Sequence, residues 1–221
     1  MLRTELDRQL DDLRAAVLDT GALVADAIAR ASEALVRGDH ALAAGVIAGD
    51  DAIDRAAVRV EELGARLIAL QQPALGDLRA VLAALAIAQD LERMGDHAAG
   101  IARLVVRTPQ PLDAHTSEGL HALTTLARVQ TQDALDAYRA DDVAHARRVW
   151  QGDDAVDRLH AGLVATIMGA IGRTADVDAR TTETYALWIA HALERIADRA
   201  TNICERVVYV ASGERRLRIA A

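Results

Sequence analysis

Four pairs of acidic residues, each spaced four positions apart, are the part of this sequence whose residue types and spacing suggest chemistry. They are Asp50 with Asp54, Glu92 with Asp96, Asp153 with Asp157, and Glu194 with Asp198. On a helix, residues four apart lie one turn apart on the same face, where like charges repel by about 0.2–0.5 kcal/mol. Carboxylates packed together in this way need protons, arginine partners or a bound cation to offset the repulsion.

Clustered carboxylates form an all-oxygen ligand set. Such sets suit hard ions such as Mg²⁺, Mn²⁺ and iron, and zinc also accepts carboxylate ligands. Because several of these carboxylates could bridge, a site with more than one metal ion is allowed. The competing interpretation is a solvated helix flank whose counter-charges are Arg55, Arg93, Arg158 and Arg195. The spacing alone leaves both interpretations open.

Other patterns that carry chemistry are weaker. A di-iron oxidase would need two Glu-x-x-His pairs, and the chain offers Glu118 with His121 and only a poor second in Asp157 with His160. The sequence contains no glycine-rich phosphate loop, Ser-His-Asp pattern or paired-cysteine metal motif. Cys204 follows an apolar stripe and is expected in the core.

The composition favours a helical protein. Hydrophobic residues make up 52% of the chain but aromatic residues only 2%, and three prolines in 221 residues permit long helices. The net charge of −8 argues against a broad nucleic-acid-binding surface. The single cysteine excludes an internal disulfide and fits a reducing compartment. A polar N-terminus predicts no signal peptide, and the longest apolar run, Ala80 to Ala88, is far short of the ~20 residues that span a bilayer.

Apolar residues recur at alternating intervals of three and four, which predicts amphipathic helices. Three helices are predicted between residues 2 and 107, separated at Gly38 and at Pro73. Pro109 and Pro111 form a stiff joint, after which the same spacing predicts three more helices, the last ending near residue 212.

The chain contains an internal repeat. Segment 46–55 matches segment 149–158 at an offset of 103, and at an offset of 102 the Glu92 motif matches the Glu194 motif and the Arg37 turn matches the Arg139 turn. Three anchors agree within one residue, so a duplicated three-helix unit is predicted. The units span residues 1–108 and 112–213, followed by a tail at 214–221.

Short turns make consecutive helices antiparallel neighbours. Asp54 and Glu92 each lie 19 positions from Pro73. At ~1.5 Å rise per residue, the two side chains are expected at the same height along their helices. The sequence therefore predicts that carboxylates converge in each unit, in the sets Asp50, Asp54, Glu92, Asp96 and Asp153, Asp157, Glu194, Asp198.

With these residues in view, the chain resembles the PhoU family over nearly its whole length. The resemblance rests on the duplicated unit, on the paired acidic motifs, and on Gln71-Gln72-Pro73 followed by Asp77-Leu78-Arg79. It rests most on Leu91-Glu92-Arg93-Met94-Gly95-Asp96-His97, which is similar to that family's Glu-Arg-Ile-Gly-Asp signature.

The resemblance implies an all-α fold of six long helices, arranged as two tandem antiparallel three-helix bundles. It implies multinuclear metal clusters, with iron or zinc favoured and Mg²⁺ or Mn²⁺ as alternatives, held by the eight acidic residues named above. It also implies a non-enzymatic, cytoplasmic negative regulator of phosphate uptake. Such a protein links the ATPase of a phosphate ABC transporter to a sensor histidine kinase, and a homodimer is the expected assembly.

The two units depart from one another where the family signature usually continues as Asn-Ile-Ala-Glu. The first unit has Gly100-Ile101-Ala102-Arg103 and the second has Asn202-Ile203-Cys204-Glu205. The first site is therefore expected to be held differently or to bind metal less firmly. The second unit also lacks the Gln-Gln-Pro turn.

Two other functions stay open on sequence grounds. One is a metal-dependent hydrolase or oxidase on a helical scaffold, which would need an open coordination position and a cleft. The other is a helical adaptor without metal, in which arginines pair with the carboxylates.

Overall fold

A computed structural model describes residues 2–213 and residue 217, and over these residues the chain is helical with short connecting turns. The helices are α1 (Leu2–Arg37), α2 (His40–Gln71), α3 (Leu75–Arg107), α4 (Ala114–Ala140), α5 (Val143–Gln151), α6 (Asp153–Arg173) and α7 (Val177–Ser212). The predicted fold class, two tandem antiparallel three-helix bundles, is confirmed, with the predicted fifth helix present as α5 and α6. Except for residue 217, the predicted tail at 214–221 lies outside the described residues.

The break between α5 and α6 is local and falls at Gly152. This residue keeps right-handed helical angles, and its N–H donates to the carbonyls of Arg148 and Val149 at 3.1 and 3.0 Å. Glycine is a poor helix former, and Asp153 and Asp154 in the first turn of α6 favour a new N-terminus through the helix dipole. As a result Asp153 begins a helix, whereas its repeat equivalent, Asp50, lies inside α2.

The turn after the first helix of each unit shows how the repeat is aligned. Gly38 adopts a φ of +62° and Asp39 caps α2 by accepting from the amides of Ala41 and Leu42. In the second unit Asp141 takes the positive φ, +51°, and Asp142 is the cap. The structural equivalents here are therefore offset by 103 positions, one more than the Arg37 and Arg139 match predicts.

The two bundles pack with their equivalent helices antiparallel. Arg79 near the start of α3 lies over the ring of Tyr209 near the end of α7, 6.0 Å from its centroid. Arg14 near the start of α1 pairs with Asp141 at the end of α4, at 2.6 Å. Since α3 packs along α7 and α1 along α4, the core is continuous across the two units. Within the described residues, no helix combines the length and hydropathy needed to cross a bilayer.

Close packing brings α2 against α3 at the level of the acidic residues. Gly95 of α3 is buried, and a Cβ added there would lie 2.9 Å from Cδ1 and 3.0 Å from Cγ2 of Ile53 on α2. Gly49, one turn earlier on α2, is exposed and has no such neighbour. The missing side chain at Gly95 thus sets how closely the two helices approach.

A hydrogen bond between Thr116 and Glu183 ties the start of α4 to α7, and the same Thr116 hydroxyl also contacts Asp113. Thr116 Oγ1 lies 3.0 Å from Asp113 Oδ2 and 2.8 Å from Glu183 Oε2, and Glu183 is only 6% exposed. Burial, together with the charge of Asp113, raises the pKa of Glu183 above its ordinary value of 4.5. The Thr116 hydroxyl has a single proton and can donate it to only one of the two carboxyl groups. When Glu183 is protonated, it donates to the hydroxyl oxygen, and the hydroxyl proton is free for Asp113.

The Gly95→Ala substitution should destabilise the protein by about 1–3 kcal/mol, because Ile53 is β-branched and cannot move its Cγ2 independently. The matched control, Gly49→Ala, should instead stabilise it by about 0.5–1 kcal/mol, since alanine is the better helix former. Urea unfolding of both variants measures the difference. Equal stabilisation by the two changes would show that α2 and α3 are not in tight contact at Gly95.

The Glu183→Gln substitution should make stability less dependent on pH. The folded-state pKa of Glu183 is raised, so ionised Glu183 lowers stability above that pKa, and this cost disappears as the pH falls towards 4.5. The variant should therefore exceed the natural chain by up to about 1 kcal/mol at pH 7 and lose the advantage near pH 4.

Urea unfolding between pH 4 and 8 makes this comparison. The exposed Glu62 provides the control, and Glu62→Gln should show no such trend. An advantage of Glu183→Gln that is constant with pH would contradict the assignment.

Candidate functional site

The first acidic cluster comprises Asp50 and Asp54 on α2 and Glu92 and Asp96 on α3. Burial and then the charge of Asp96 raise the pKa of Asp50, and Asp54 adds to the effect. Burial raises the pKa of Glu92 as well, followed by the charges of Asp96, Asp54 and Asp50. Each set of causes includes carboxylates from the other helix, so the four lie close enough for their charges to interact across α2 and α3.

An arginine from α3 partly neutralises this cluster. Arg103 Nη2 donates to Asp50 Oδ2 at 3.0 Å, and the Asp50 side chain is 14% exposed. The other oxygen, Asp50 Oδ1, is buried and has no hydrogen-bond partner among the described residues. Arg93, one of the predicted counter-charges, lowers the pKa of Glu92. The direct contact is made by Arg103, which the sequence singled out only as a departure from the signature.

The second acidic cluster comprises Asp153 and Asp157 on α6 and Glu194 and Asp198 on α7. Burial raises the pKa of Asp153, and the charges of Asp157, Asp198 and Glu194 add to the shift. The amide of Gln130 on α4 opposes the shift by donating to Asp153 Oδ1 at 3.0 Å. The four carboxylates of the second unit therefore also lie close enough for their charges to interact, but a neutral donor holds the first aspartate.

Arg195, one of the counter-charges in the competing interpretation of a solvated flank, lies along the second cluster. Its Nε is 3.2 Å from Glu194 Oε2, and its Nη1 is 3.8 Å from Asp198 Oδ2. The Glu194 oxygen is buried, yet within the described residues it has no partner in hydrogen-bond geometry. Asp50 Oδ1 is thus desolvated and unsatisfied, a state that costs free energy until a cation or a donor meets it. Glu194 Oε2 is also desolvated, but the Arg195 ion pair offsets part of its charge.

Two histidines flank the second cluster. The rings of His160 on α6 and His191 on α7 lie 6.1 Å apart, and His191 Nδ1 is 3.8 Å from Glu194 Oε2. Their repeat equivalents are Ala57 and Gln89, so the first cluster has no imidazole at these places. In the sequence, His160 belongs only to a weak di-iron pattern and His191 to no motif, because their proximity depends on how α6 packs on α7.

The donor chemistry of both clusters fits a hard cation. All eight predicted ligands are carboxylates. Asp50 Oδ1 is buried without a hydrogen-bond partner among the described residues, and Glu194 Oε2 is buried with only ion-pair contacts. As the side chains are placed in the described part of the chain, no three His, Cys, Asp or Glu groups close around a common point. Arg103, Gln130 and Arg195 instead engage the carboxylates at hydrogen-bond or ion-pair distances.

A buried ion pair joins α3 to α7 between the two clusters. Asp90 is 8% exposed and accepts from Arg199 Nη1 at 3.1 Å and from Asn202 Nδ2 at 3.3 Å. Burial raises the pKa of Asp90, and the hydrogen bond from Arg199 opposes the rise. The repeat equivalents of Asp90 and Arg199 are Ala192 and His97, so the pair occurs on one side only. In the sequence, Asp90 is a single acidic residue within an apolar stripe, and this pattern does not identify Arg199 as the residue that pairs with it.

The chain is similar in sequence to a known protein family over both repeats. A family model described as "PhoU domain" matches residues 17–105 and again residues 120–207. A phosphate-specific transport system accessory protein PhoU homolog from Streptococcus pneumoniae serotype 4 is 35% identical over 213 residues, covering 96% of this chain and 98% of the relative. The PhoU accessory protein of Serratia marcescens is 33% identical over 216 residues, covering 95% and 86% respectively.

Two solved structures are similar over nearly the full length. The crystal structure of the phosphate transport system regulatory protein PhoU from Streptococcus pneumoniae superposes with a TM-score of 0.89 at 34% identity, covering 96% of this chain and 100% of that one. The crystal structure of PhoU from Pseudomonas aeruginosa gives a TM-score of 0.87 at 30% identity, covering 94% and 99%.

The Arg199→Met substitution should destabilise the protein by about 1–3 kcal/mol, because Asp90 then stays buried without its charged partner. Replacing both residues, as Asp90→Leu with Arg199→Met, should recover most of the loss, since neither member of the pair is then left buried without the other. Urea unfolding of the single and double variants measures the interaction. A single variant as stable as the natural chain would show that the pair does not hold α3 to α7.

Proposed function

This chain belongs to the PhoU family, and on that basis we propose that it is a regulatory accessory protein of phosphate-specific transport. The observation that carries the proposal is the extent of the similarity. Both repeats match the family model, and the fold of the Streptococcus pneumoniae protein is reproduced over 96% of the chain.

In this proposal the protein is a negative regulator that limits phosphate uptake and the phosphate-starvation response when phosphate is plentiful. It binds the ATPase of a phosphate ABC transporter and a sensor histidine kinase, and it reaches the membrane only through these partners. It works in the cytoplasm as a homodimer, and it acts by binding and not by catalysis. Support comes from the family membership and from a helical body whose functional side chains are acidic clusters.

Metal ions are the second part of the proposal. The first cluster would hold ions through Asp50, Asp54, Glu92 and Asp96, and the second through Asp153, Asp157, Glu194 and Asp198. Bound divalent or trivalent cations, iron or zinc before Mg²⁺ or Mn²⁺, would replace repulsion between helices with coordination. The buried Asp50 Oδ1, which has no hydrogen-bond partner among the described residues, supports this role.

Deleting the gene in its own host should raise expression of a phosphate-starvation reporter during growth in high phosphate. Re-expression of the natural chain should restore repression, and tagged protein should recover the transporter ATPase and the kinase from detergent extracts. A reporter that is unchanged by the deletion would contradict the regulatory role.

The substitutions Asp50→Asn and Asp153→Asn together should remove at least about half of the metal bound by protein purified without chelator, because each takes a charged ligand from one cluster. Asp51 and Asp154 are their exposed neighbours at equivalent positions, so Asp51→Asn with Asp154→Asn is a control of equal charge. Elemental analysis provides the measurement. Equal metal content in the two double variants would remove the assigned ligands and favour carboxylates paired by arginine alone.

A further inference from the structure

The two acidic clusters are equivalent by sequence but differ in the groups that approach their first aspartate. Arg103 at the end of α3 corresponds to Glu205 on α7, an exchange of a positive for a negative side chain. Arg103 is 47% exposed and reaches across to Asp50 on α2. Glu205 instead accepts from the backbone N–H of Leu217 at 3.2 Å. A guanidinium therefore enters the first cluster at a place where the second has none.

The partner of the equivalent aspartate is neutral. Asp153 is held by the amide of Gln130, a residue that is itself 7% exposed. The corresponding stretch of α1 is apolar, Ala27-Ile28, and supplies no such donor. Asp153 also sits in the first turn of α6, where the helix dipole favours a negative charge without adding a mobile cation.

We infer that Arg103 is an internal cation of the first acidic cluster that competes with metal for Asp50, so that the two clusters bind metal with unequal affinity. The inference rests on the metal binding proposed above. The second cluster binds a metal ion more tightly, and the first exchanges its ion for the Arg103 guanidinium. Since Arg103 is half exposed, it can turn into solvent when a metal ion enters, which makes the exchange reversible.

The competition has a direct electrostatic and steric basis. The guanidinium hydrogen-bonds Asp50 Oδ2 and leaves Oδ1 unsatisfied, so one of the two ligand oxygens is blocked in the metal-free protein. Its positive charge also repels an incoming cation. Arg195 also contacts the second cluster, 3.2 Å from Glu194 Oε2, but this contact leaves Asp153, the equivalent of Asp50, to the neutral amide of Gln130. The imidazoles of His160 and His191 flank the second cluster only.

Calorimetric titration of the demetallated full chain with Mn²⁺ alone tests the inference. Asp153→Asn with Asp157→Asn leaves only the first cluster, and Asp50→Asn with Asp54→Asn leaves only the second. The first cluster should bind Mn²⁺ at least about tenfold more weakly than the second, a difference of roughly 1.4 kcal/mol. Adding Arg103→Gln to the first-cluster background should remove most of that difference.

Arg93→Gln in the same background is the matched control. It removes an equal charge from the same helix without touching the contact to Asp50, and it should change Mn²⁺ affinity by no more than about twofold, or roughly 0.4 kcal/mol. In the otherwise natural chain without metal, Arg103→Gln should lower the melting temperature, and Mn²⁺ should then raise it by more than it raises that of the natural chain.

Three results would overturn the inference. Equal affinities of the two clusters would do so while leaving the proposed metal binding intact. Equal effects of Arg103→Gln and Arg93→Gln would show that only general charge matters, and not the bond to Asp50. Absence of Mn²⁺ binding at both clusters, with the variants folded by circular dichroism, would overturn the proposed metal binding itself and the competition that depends on it.

Discussion

Repulsion between carboxylates on neighbouring helices is the constraint on which the rest of the structure depends. Helix packing brings these charges together, since the absence of a side chain at Gly95 lets Ile53 of α2 pack directly against α3 at this level. Burial is the largest cause of the raised pKa values of Asp50, Glu92 and Asp153, and the neighbouring carboxylates raise all three further. Such repulsion persists in a fold only where the surrounding packing overrides it, and a cation is the simplest means of relieving it.

Duplication gives the molecule two copies of this arrangement, and the copies differ in charge. The backbone elements are equivalent, with α3 and α7 antiparallel in the centre and α1 and α4 antiparallel beside them. The side chains are not equivalent, because Arg103 enters one cluster while Gln130 enters the other. The Asp90 to Arg199 pair, which occurs on one side only, ties the two central helices together between the clusters. A symmetric fold therefore carries an asymmetric distribution of charge.

The sequence predicted whatever depends on periodicity and repetition. It predicted the long helices and the antiparallel pairing, because each follows from spacing along the chain. The use of the two groups of four acidic side chains as metal ligands stays a prediction. It did not predict that Arg103 contacts Asp50 or that Arg199 contacts Asp90, since both contacts depend on how far a side chain reaches across a packed interface. The break at Gly152 and the shift of the cap to Asp142 were missed because a single glycine or an extra residue hardly changes the apolar pattern.

Anomalous diffraction from crystals of the full chain, purified without chelator, tests the central claim most directly. If cations relieve the repulsion, density peaks should lie between α6 and α7, and more weakly between α2 and α3, with carboxylate oxygens at about 2.0–2.2 Å for zinc or up to about 2.6 Å for larger ions. Peaks absent from both clusters, with Arg103 still bonded to Asp50 and Arg195 still beside Glu194, would contradict the account and leave arginines as the only counter-charges.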